Sequence, residues 1–370
     1  MSGACGITFR APHHHCPTSQ NPNSTTPKIP VFPLPINTNK RFHPLCSSAS
    51  SQTQKTENKN PLVVVGSANA DIYVEIERLP KEGETVAAKR GQTLAGGKGA
   101  NQAACAGMLD YHPTYFIGQV GEDAHGRLVT DALAQGGICL EHVKRVEGEP
   151  TGHAVVMLLG SDGQNSIIIV GGANTSGWPD PLPEEDLWVV RNAGVLLLQR
   201  EIPDAVNIQV AKAANSAHVP VILDAGGMEG PIPRELLKAV DIFSPNETEL
   251  ARLTGMPTDT SEQIAEGISK CHEMGVKQVL LKLGAKGSAL FTEGEERPII
   301  QPIIATSKVV DTTGAGDTFT AAFAVALVEG KSNKECLKFA AAAASLCVQV
   351  KGAIPSMPNR KAVLELLQSL

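Results

Sequence analysis

Aromatic residues are scarce in this chain. Phe, Trp and Tyr make up 4% of its 370 residues, so a surface that stacks nucleic-acid bases on rings is poorly supplied. No run of 18 apolar residues occurs, which excludes a membrane-spanning helix. No cysteine pair has the C-x-x-C spacing. Three of the eight cysteines (Cys5, Cys16, Cys46) stand near the start, and Cys105, Cys139, Cys271, Cys336 and Cys347 are scattered, mostly among Ala, Leu or Val. Reduced, buried thiols are the expectation. Acid is absent from residues 1–56, which are rich in Ser, Thr and Pro with scattered Lys and Arg. They lack the continuous apolar stretch of a secretory signal. They read as an organelle transit peptide, and as a chloroplast one because a long amphipathic Arg-rich helix is missing. His13, His14 and His15 fall in this leader and are taken as incidental. Residues 1–60 are therefore set aside as a disordered transit peptide and linker.

The remainder, 61–370, carries 26 basic and 37 acidic residues, a net charge of −11. So acidic a body argues against a nucleic-acid partner. With 42% apolar residues in the chain, a large core is available. Leu62–Val65, Val195–Leu198, Val219–Leu223, Ile242–Phe243 and Val279–Leu283 read as short buried strands, with Ala289–Phe291 a weaker one. Helical patterns lie between them. Ser261 to Met274 puts Ile264, Ile268 and Cys271 on one face, with a capping box from Thr260 to Gln263 and Gly275 as the stop. Ser332 to Val350 aligns Cys336, Phe339, Ala340, Ala343 and Cys347, and Val363, Leu366, Leu367 and Leu370 line a last helix. The fold class is α/β, a doubly wound, mainly parallel sheet flanked by helices. Two regions break the pattern. Ile72–Ile76 with Thr85–Ala95, and His153–Leu159 with Ser166–Val170, read as antiparallel pairs, the second joined across Gly160-Ser161-Asp162-Gly163. They predict a small β-sheet lid, mainly from 71–95 and 152–173, which would exclude water from a pocket beneath it.

Two glycine-rich segments carry the chemistry. Asp311-Thr312-Thr313-Gly314-Ala315-Gly316-Asp317-Thr318-Phe319 leads straight into the apolar run Phe319 to Leu327, so it is a loop opening a helix. Converging amides at a helix start make an anion hole, and Asp317 stands beside it. A charge-receiving hole next to a proton acceptor is what phosphoryl transfer to an alcohol requires. Taken alone, the segment reads equally well as a turn with a capping acid. Upstream, Gly96-Gly97-Lys98-Gly99-Ala100-Asn101-Gln102-Ala103 opens a second helix. It is neither a P-loop, which needs Gly at 92 and Ser or Thr at 99, nor a G-x-G-x-x-G dinucleotide turn. Its glycines let a polyol lie against the backbone, with Lys98 and Asn101 as donors. Asn69 and Asp71 follow the strand Leu62–Val65 and share one face if extended, an arrangement suited to paired sugar hydroxyls and also common in turns. Glu201, Asn246, Glu249 and Gly284 likewise fall just past strand ends, where open parallel sheets bind ligands.

The pair GGKGANQA and DTTGAGDTF resembles the two signatures of the ribokinase-type carbohydrate kinases, together with Asn246-Glu247-Thr248-Glu249 and GSANAD near the start. The resemblance runs from about Leu62 to the C-terminus. Lys98 with Asn69 and Asp71 is similar to the members acting on D-ribose. It implies in-line transfer of the γ-phosphoryl group of ATP to the 5-hydroxyl of D-ribose, with Asp317 as base and the Gly314, Ala315 and Gly316 amides as the anion hole. Asn69, Asp71, Gly96, Gly97, Lys98, Asn101 and Glu201 would hold the sugar. Asn246, Lys282, Leu283, Gly284, Ala285, Lys286 and Gly287, with Gly316 and Asp317, would face the nucleotide. Mg²⁺ would accompany ATP, with Glu249 in its network. K⁺ would activate from a site formed by Asp311, Thr313, Cys347, Val350, Gly352 and Ser356, mostly through carbonyls. Family members often pair through the lid, which implies a homodimer. Lys282 departs from the family, which commonly has a hydroxyl residue before the Leu-Gly. The alternatives are a kinase for another small sugar or a nucleoside, or a non-catalytic plastid relative acting as a binding partner. The intact Gly-Ala-Gly turn and Asp317 argue against the last.

Overall fold

The computed structural model describes residues 60–159, 165–228 and 230–370. The transit-peptide expectation and the turn Gly160–Gly163 lie outside the described residues. In chain order the strands are β1 (Leu62–Val65), β2 (Asn69–Ile76), β3 (Arg90–Gly96), β4 (Thr114–Gly121), β5 (Val143–Val146), β6 (Gly152–Leu159), β7 (Asn165–Val170), β8 (Val195–Arg200), β9 (Val221–Gly227), β10 (Ile242–Ser244), β11 (Gln278–Lys282), β12 (Ser288–Thr292) and β13 (Ile299–Gln301). The α-helices are α1 (Lys98–Met108), α2 (Ala124–Gln135), α3 (Glu184–Arg191), α4 (Asp204–Ser216), α5 (Arg234–Lys238), α6 (Glu247–Thr254), α7 (Ser261–Glu273), α8 (Ala315–Val328), α9 (Asn333–Cys347) and α10 (Arg360–Gln368).

Nine strands form one sheet in the order β13-β12-β11-β10-β9-β8-β1-β4-β5. It is parallel from β5 to β11 and antiparallel at the β11–β12–β13 edge. β1 is buried throughout because each face meets its own apolar layer. Leu62 and Val64 pack with α1, α8 and α9, and Val63 and Val65 with the α3–α7 side. Strand order reverses at β1, since the chain goes from β1 to β4 on one side and later resumes at β8 on the other. A crevice therefore opens at the strand ends there. β4 does not show in the sequence as an apolar run because Gly118, Gln119 and Gly121 interrupt it; Gln119 is buried by bonding to the Gly177 carbonyl at 3.2 Å.

The four-stranded second sheet, β3-β2-β6-β7, has both expected antiparallel pairs, joined by a parallel β2–β6 contact. β3 begins at Arg90 rather than Thr85, because the Pro- and Gly-containing stretch after Ile76 forms turns. The capping box Thr260–Gln263 closes α7, and Ser332 with Glu335 closes α9. Leu370 lies beyond α10 and is exposed. The five described cysteines are free thiols, and burial pushes Cys271 up to about 12 and Cys336 to about 11. None of the helices in the described residues is long and apolar enough to cross a membrane.

Candidate active site

Gly314 caps α8 in the left-handed region, φ 78°, where an added Cβ would lie 3.0 Å from Ala353 Cα. No side chain caps this helix end. Ala315 N–H closes the turn onto the Thr312 carbonyl at 3.2 Å. One of the three amides expected to face an anion is thus engaged within the turn, whereas among the described residues those of Gly314, Gly316 and Asp317 make no such turn or loop bond. Asp317, the third residue of α8, is 5% exposed. Its Oδ2 accepts from Asn101 Nδ2 at 2.9 Å and its Oδ1 from Gln102 Nε2 at 3.4 Å, with Lys98 Nζ 3.6 Å away. Gln102 is itself held, accepting from Gln199 Nε2 at 2.7 Å. Two helix starts thus converge, α1 bringing Lys98, Asn101 and Gln102 to the carboxylate carried by α8.

The α1 start depends on Gly97, whose φ of 90° and close approach to the Asn69 amide exclude a side chain. Glu201, just past β8, accepts from Lys98 N–H at 3.0 Å and Ser67 Oγ–H at 2.5 Å. It anchors the helix end as well as facing the cavity. Asn69 Oδ1 accepts from Asn174 Nδ2 at 2.6 Å. Asp71 faces the same cavity against Gly96, where any Cβ would stand 2.1 Å from its Oδ2. Burial first, then the charges of Glu201 and Asp317, push Asp71 up to about 7. Asn101 Oδ1 has no partner among the described residues, which leaves an acceptor for a hydroxyl. The cavity, about 640 Å³, gathers Asn69, Asp71, Gly97, Lys98, Asn101, Glu201, Asp311, Thr313, Gly314 and Asp317 under lid residues Tyr73, Val156, Leu158, Ile167 and Ile169.

The expected nucleotide residues do not line that cavity, apart from Asp317. Leu283 to Gly287 form a tight turn between β11 and β12, closed by Leu283 N–H to the Gly287 carbonyl at 2.8 Å, and Lys286 pairs with Glu247 at 3.0 Å. Asn246 and Glu249 bond each other in a capping box on α6, both at 2.8 Å. Glu249 still contributes to the field at Lys98. Lys282 turns back to Asp224, with Nζ 2.5 Å from Oδ2.

On the other flank Asp311 accepts from the Thr313 and Gly352 amides, each at 2.9 Å, and so ties the anion-hole loop to the 350–356 loop. Burial opposes its ionisation, but these amides hold the carboxyl below its usual value. Cys347 Sγ lies 3.0 Å from Ser356 Oγ and 3.9 Å from the Thr313 carbonyl oxygen. Val350 is exposed, its amide donating to the Cys347 carbonyl at 3.1 Å. Among the described residues no cluster of three His, Cys, Asp or Glu could hold a metal. An oxygen-rich loop pair is the donor set present.

Ser67, Gln102, Asn174, Gln199 and Asp224 are site residues that sequence reading missed. Asp224 follows the β9 apolar run directly, so the strand-end rule that found Glu201 would have found it. Ser67 and Asn174 act through contacts across 134 and 106 residues of chain, which no local pattern reveals.

A ligand cleft at the reversal point, an anion hole at one helix start and polar groups at another define a small-alcohol kinase. The model of the pfkB family carbohydrate kinases matches residues 59–360. Ribokinase of Arabidopsis thaliana is 72% identical over 310 residues, covering 83% of this chain and 81% of that protein. Ribokinase of Haemophilus influenzae is 36% identical over 310 residues, covering 84% and 99%. A solved structure of Arabidopsis thaliana ribokinase with ribose and ATP matches at TM-score 0.81, covering 84% of this chain and 99% of that one. The chain belongs to the pfkB family of carbohydrate kinases and has the ribokinase-like α/β fold.

Proposed function

We propose that the protein transfers the γ-phosphoryl group of ATP to the 5-hydroxyl of D-ribose, giving D-ribose 5-phosphate and ADP. The observation that carries this is Asp317, buried where the sugar-facing polar groups meet the uncapped start of α8. The 72% identity to a ribokinase supports ribose as the acceptor. Among the described residues Tyr73 is the one aromatic lining the cavity, which disfavours a nucleoside base.

The ribose O5–H points at Asp317, which orients it and takes its proton as the O5–Pγ bond forms. The bond from Pγ to the β,γ-bridging oxygen breaks in line, and its electron pair leaves with ADP. The amides of Gly314, Gly316 and Asp317 receive charge on the transferring group. Asp317 first, with Asp224, Glu201 and Glu249, holds the Lys98 ammonium charged against burial. Asn69, Asp71, Asn101 and Glu201 fix the sugar, and the lid excludes water that would otherwise compete as acceptor.

Bound ATP would bring a divalent cation, Mg²⁺ as we read it, which would supply charge neutralisation at the phosphates. Asn246 and Glu249 would hold it through water, since each already bonds the other. The Asp311–Thr313 and Val350–Ser356 loops suit a large monovalent cation such as K⁺, because their donors are carbonyl and hydroxyl oxygens. β7 exposes Ile168 and Val170 (56% and 39%), an apolar face that a second copy would cover, giving a homodimer through the lid. The leader 1–56 would direct the chain to plastids. ADP release, followed with a coupled assay over a panel of pentoses, hexoses and nucleosides, tests the acceptor. Ribose should be turned over with the highest kcat/KM, and a nucleoside or hexose ahead of it would overturn the proposal.

A further inference from the structure

We infer that Lys282 is a second phosphate-binding cation of the transfer reaction, and that Asp224 is the positioning residue holding Lys282 and Lys98 beside the anion hole. The inference rests on reading the cavity as a phosphoryl-transfer site. Asp224 ends the apolar part of β9 and is 1% exposed. Its Oδ2 accepts from Lys282 Nζ at 2.5 Å and Thr320 Oγ1 at 3.0 Å. Its Oδ1 accepts from Gly226 N–H at 3.0 Å and lies 3.9 Å from Lys98 Nζ. With Asp317 the four groups form a line of alternating charge, Asp317, Lys98, Asp224, Lys282.

Burial works against a charged Asp224, but the Lys282 and then the Lys98 ammonium hold its carboxyl at about 2. A buried ion pair of this kind contributes little to stability by itself. Its placement is the informative feature. A Cβ built on Gly316 would meet Lys282 Nζ at 4.0 Å and no other atom within that distance. The Cα side of Gly316 is therefore open, with the Lys282 ammonium across that space. A phosphoryl group entering there would touch the Gly316 amide and Lys282 together. Lys98 makes no ion pair closer than 3.6 Å, so it can shift onto a phosphate without breaking a short bond. Gly226 makes this packing feasible, since a Cβ there would lie 2.5 Å from Lys98 Nζ. A hydroxyl at position 282 could donate one hydrogen bond but no charge, whereas Lys282 brings a cation and Asp224 the buried anion that fixes it.

The test uses Lys282→Thr, Lys282→Arg, Asp224→Asn and the Asp224→Asn/Lys282→Thr double variant of the full chain. Circular dichroism and melting establish folding first. Lys282→Thr should lower kcat by about 10²–10³-fold, the range for one lost transition-state donor, with the ribose KM moved by less than about twofold. Lys282→Arg, which keeps the charge, should recover part of that loss. Asp224→Asn should also act on kcat, and the double variant should lose less than the product of the single losses. If Asp224→Asn does not fold, the Lys282 pair decides the matter alone. Parental kcat per folded molecule in Lys282→Thr, with only the melting temperature lowered, would overturn the inference and leave the pair structural. The wild-type acceptor panel separates this from a wrong sugar. If another alcohol proves the acceptor, the same variants are compared with that alcohol.

Discussion

Ribose binding should release a proton at Asp71, and the apparent affinity should follow pH for that reason. In the free protein burial and the neighbouring Glu201 and Asp317 move this carboxyl from 3.8 to about 7. A carboxylate that accepts sugar hydroxyls is favoured in its charged form, so binding lowers the pKa. Below about pH 7 the free protein must therefore give up the proton in order to bind. The ribose KM should rise about tenfold per pH unit as pH falls below 7, and flatten above it. The ATP KM should show no such slope, since Asp71 faces the sugar half. Calorimetric titration of ribose at pH 6 in two buffers of different ionisation heat should count nearly one proton released. Asp71→Asn should bind ribose poorly and lose the slope. It also bears on stability. A folded pKa raised above the unfolded value makes a contribution that is full below about pH 4 and lost as pH rises to about 7. The sugar-free Asp71→Asn variant should therefore gain more in melting temperature over wild type at pH 8 than at pH 5. No proton release at pH 6, or a slope that persists in Asp71→Asn, would refute the reasoning.

Asp317→Asn should fold normally and lose about 10²–10⁴-fold in kcat, the range for a general base; near-wild-type turnover in the folded variant would sink its assignment. Initial rates against KCl, at constant ionic strength with tetramethylammonium, should rise more than with NaCl or LiCl, mainly in kcat. Asp311→Ala should abolish that response, because its carboxylate ties the two loops together, whereas a flat salt response in wild type would reduce Asp311 to a loop tie. Removing residues 1–56 should leave a soluble, fully active kinase, and the same residues fused to a reporter should carry it to plastids; a cytosolic reporter would remove the targeting claim.

The parallel core was legible because β1, β8, β10 and β11 each carry a short apolar run, and α7 because its capping box and Gly275 bracket it. β4 was not, since Gly118, Gln119 and Gly121 interrupt it, and the Gly177 carbonyl that receives the Gln119 amide is 58 residues away. The two glycine clusters revealed the catalytic half of the site, because a backbone that must turn at positive φ and leave amides open needs glycine in sequence. The Ala315 N–H bond to the Thr312 carbonyl shows only in the folded turn. Lys282 is expected from the sequence to face the nucleotide, but its ion pair with Asp224 is visible only in the fold. Nothing in the order of residues announces a partner 58 positions distant.

The most direct test of the account is product identity. Uniformly ¹³C-labelled D-ribose and ATP are incubated with the full chain and with Asp317→Asn, and the product is followed by ¹³C and ³¹P NMR. The account predicts one new species with phosphorus coupled to C5, stoichiometric ADP, and almost none of either with Asp317→Asn. Phosphorylation at another carbon, ADP formed without a phosphorylated sugar, or an undiminished yield from Asp317→Asn would contradict it.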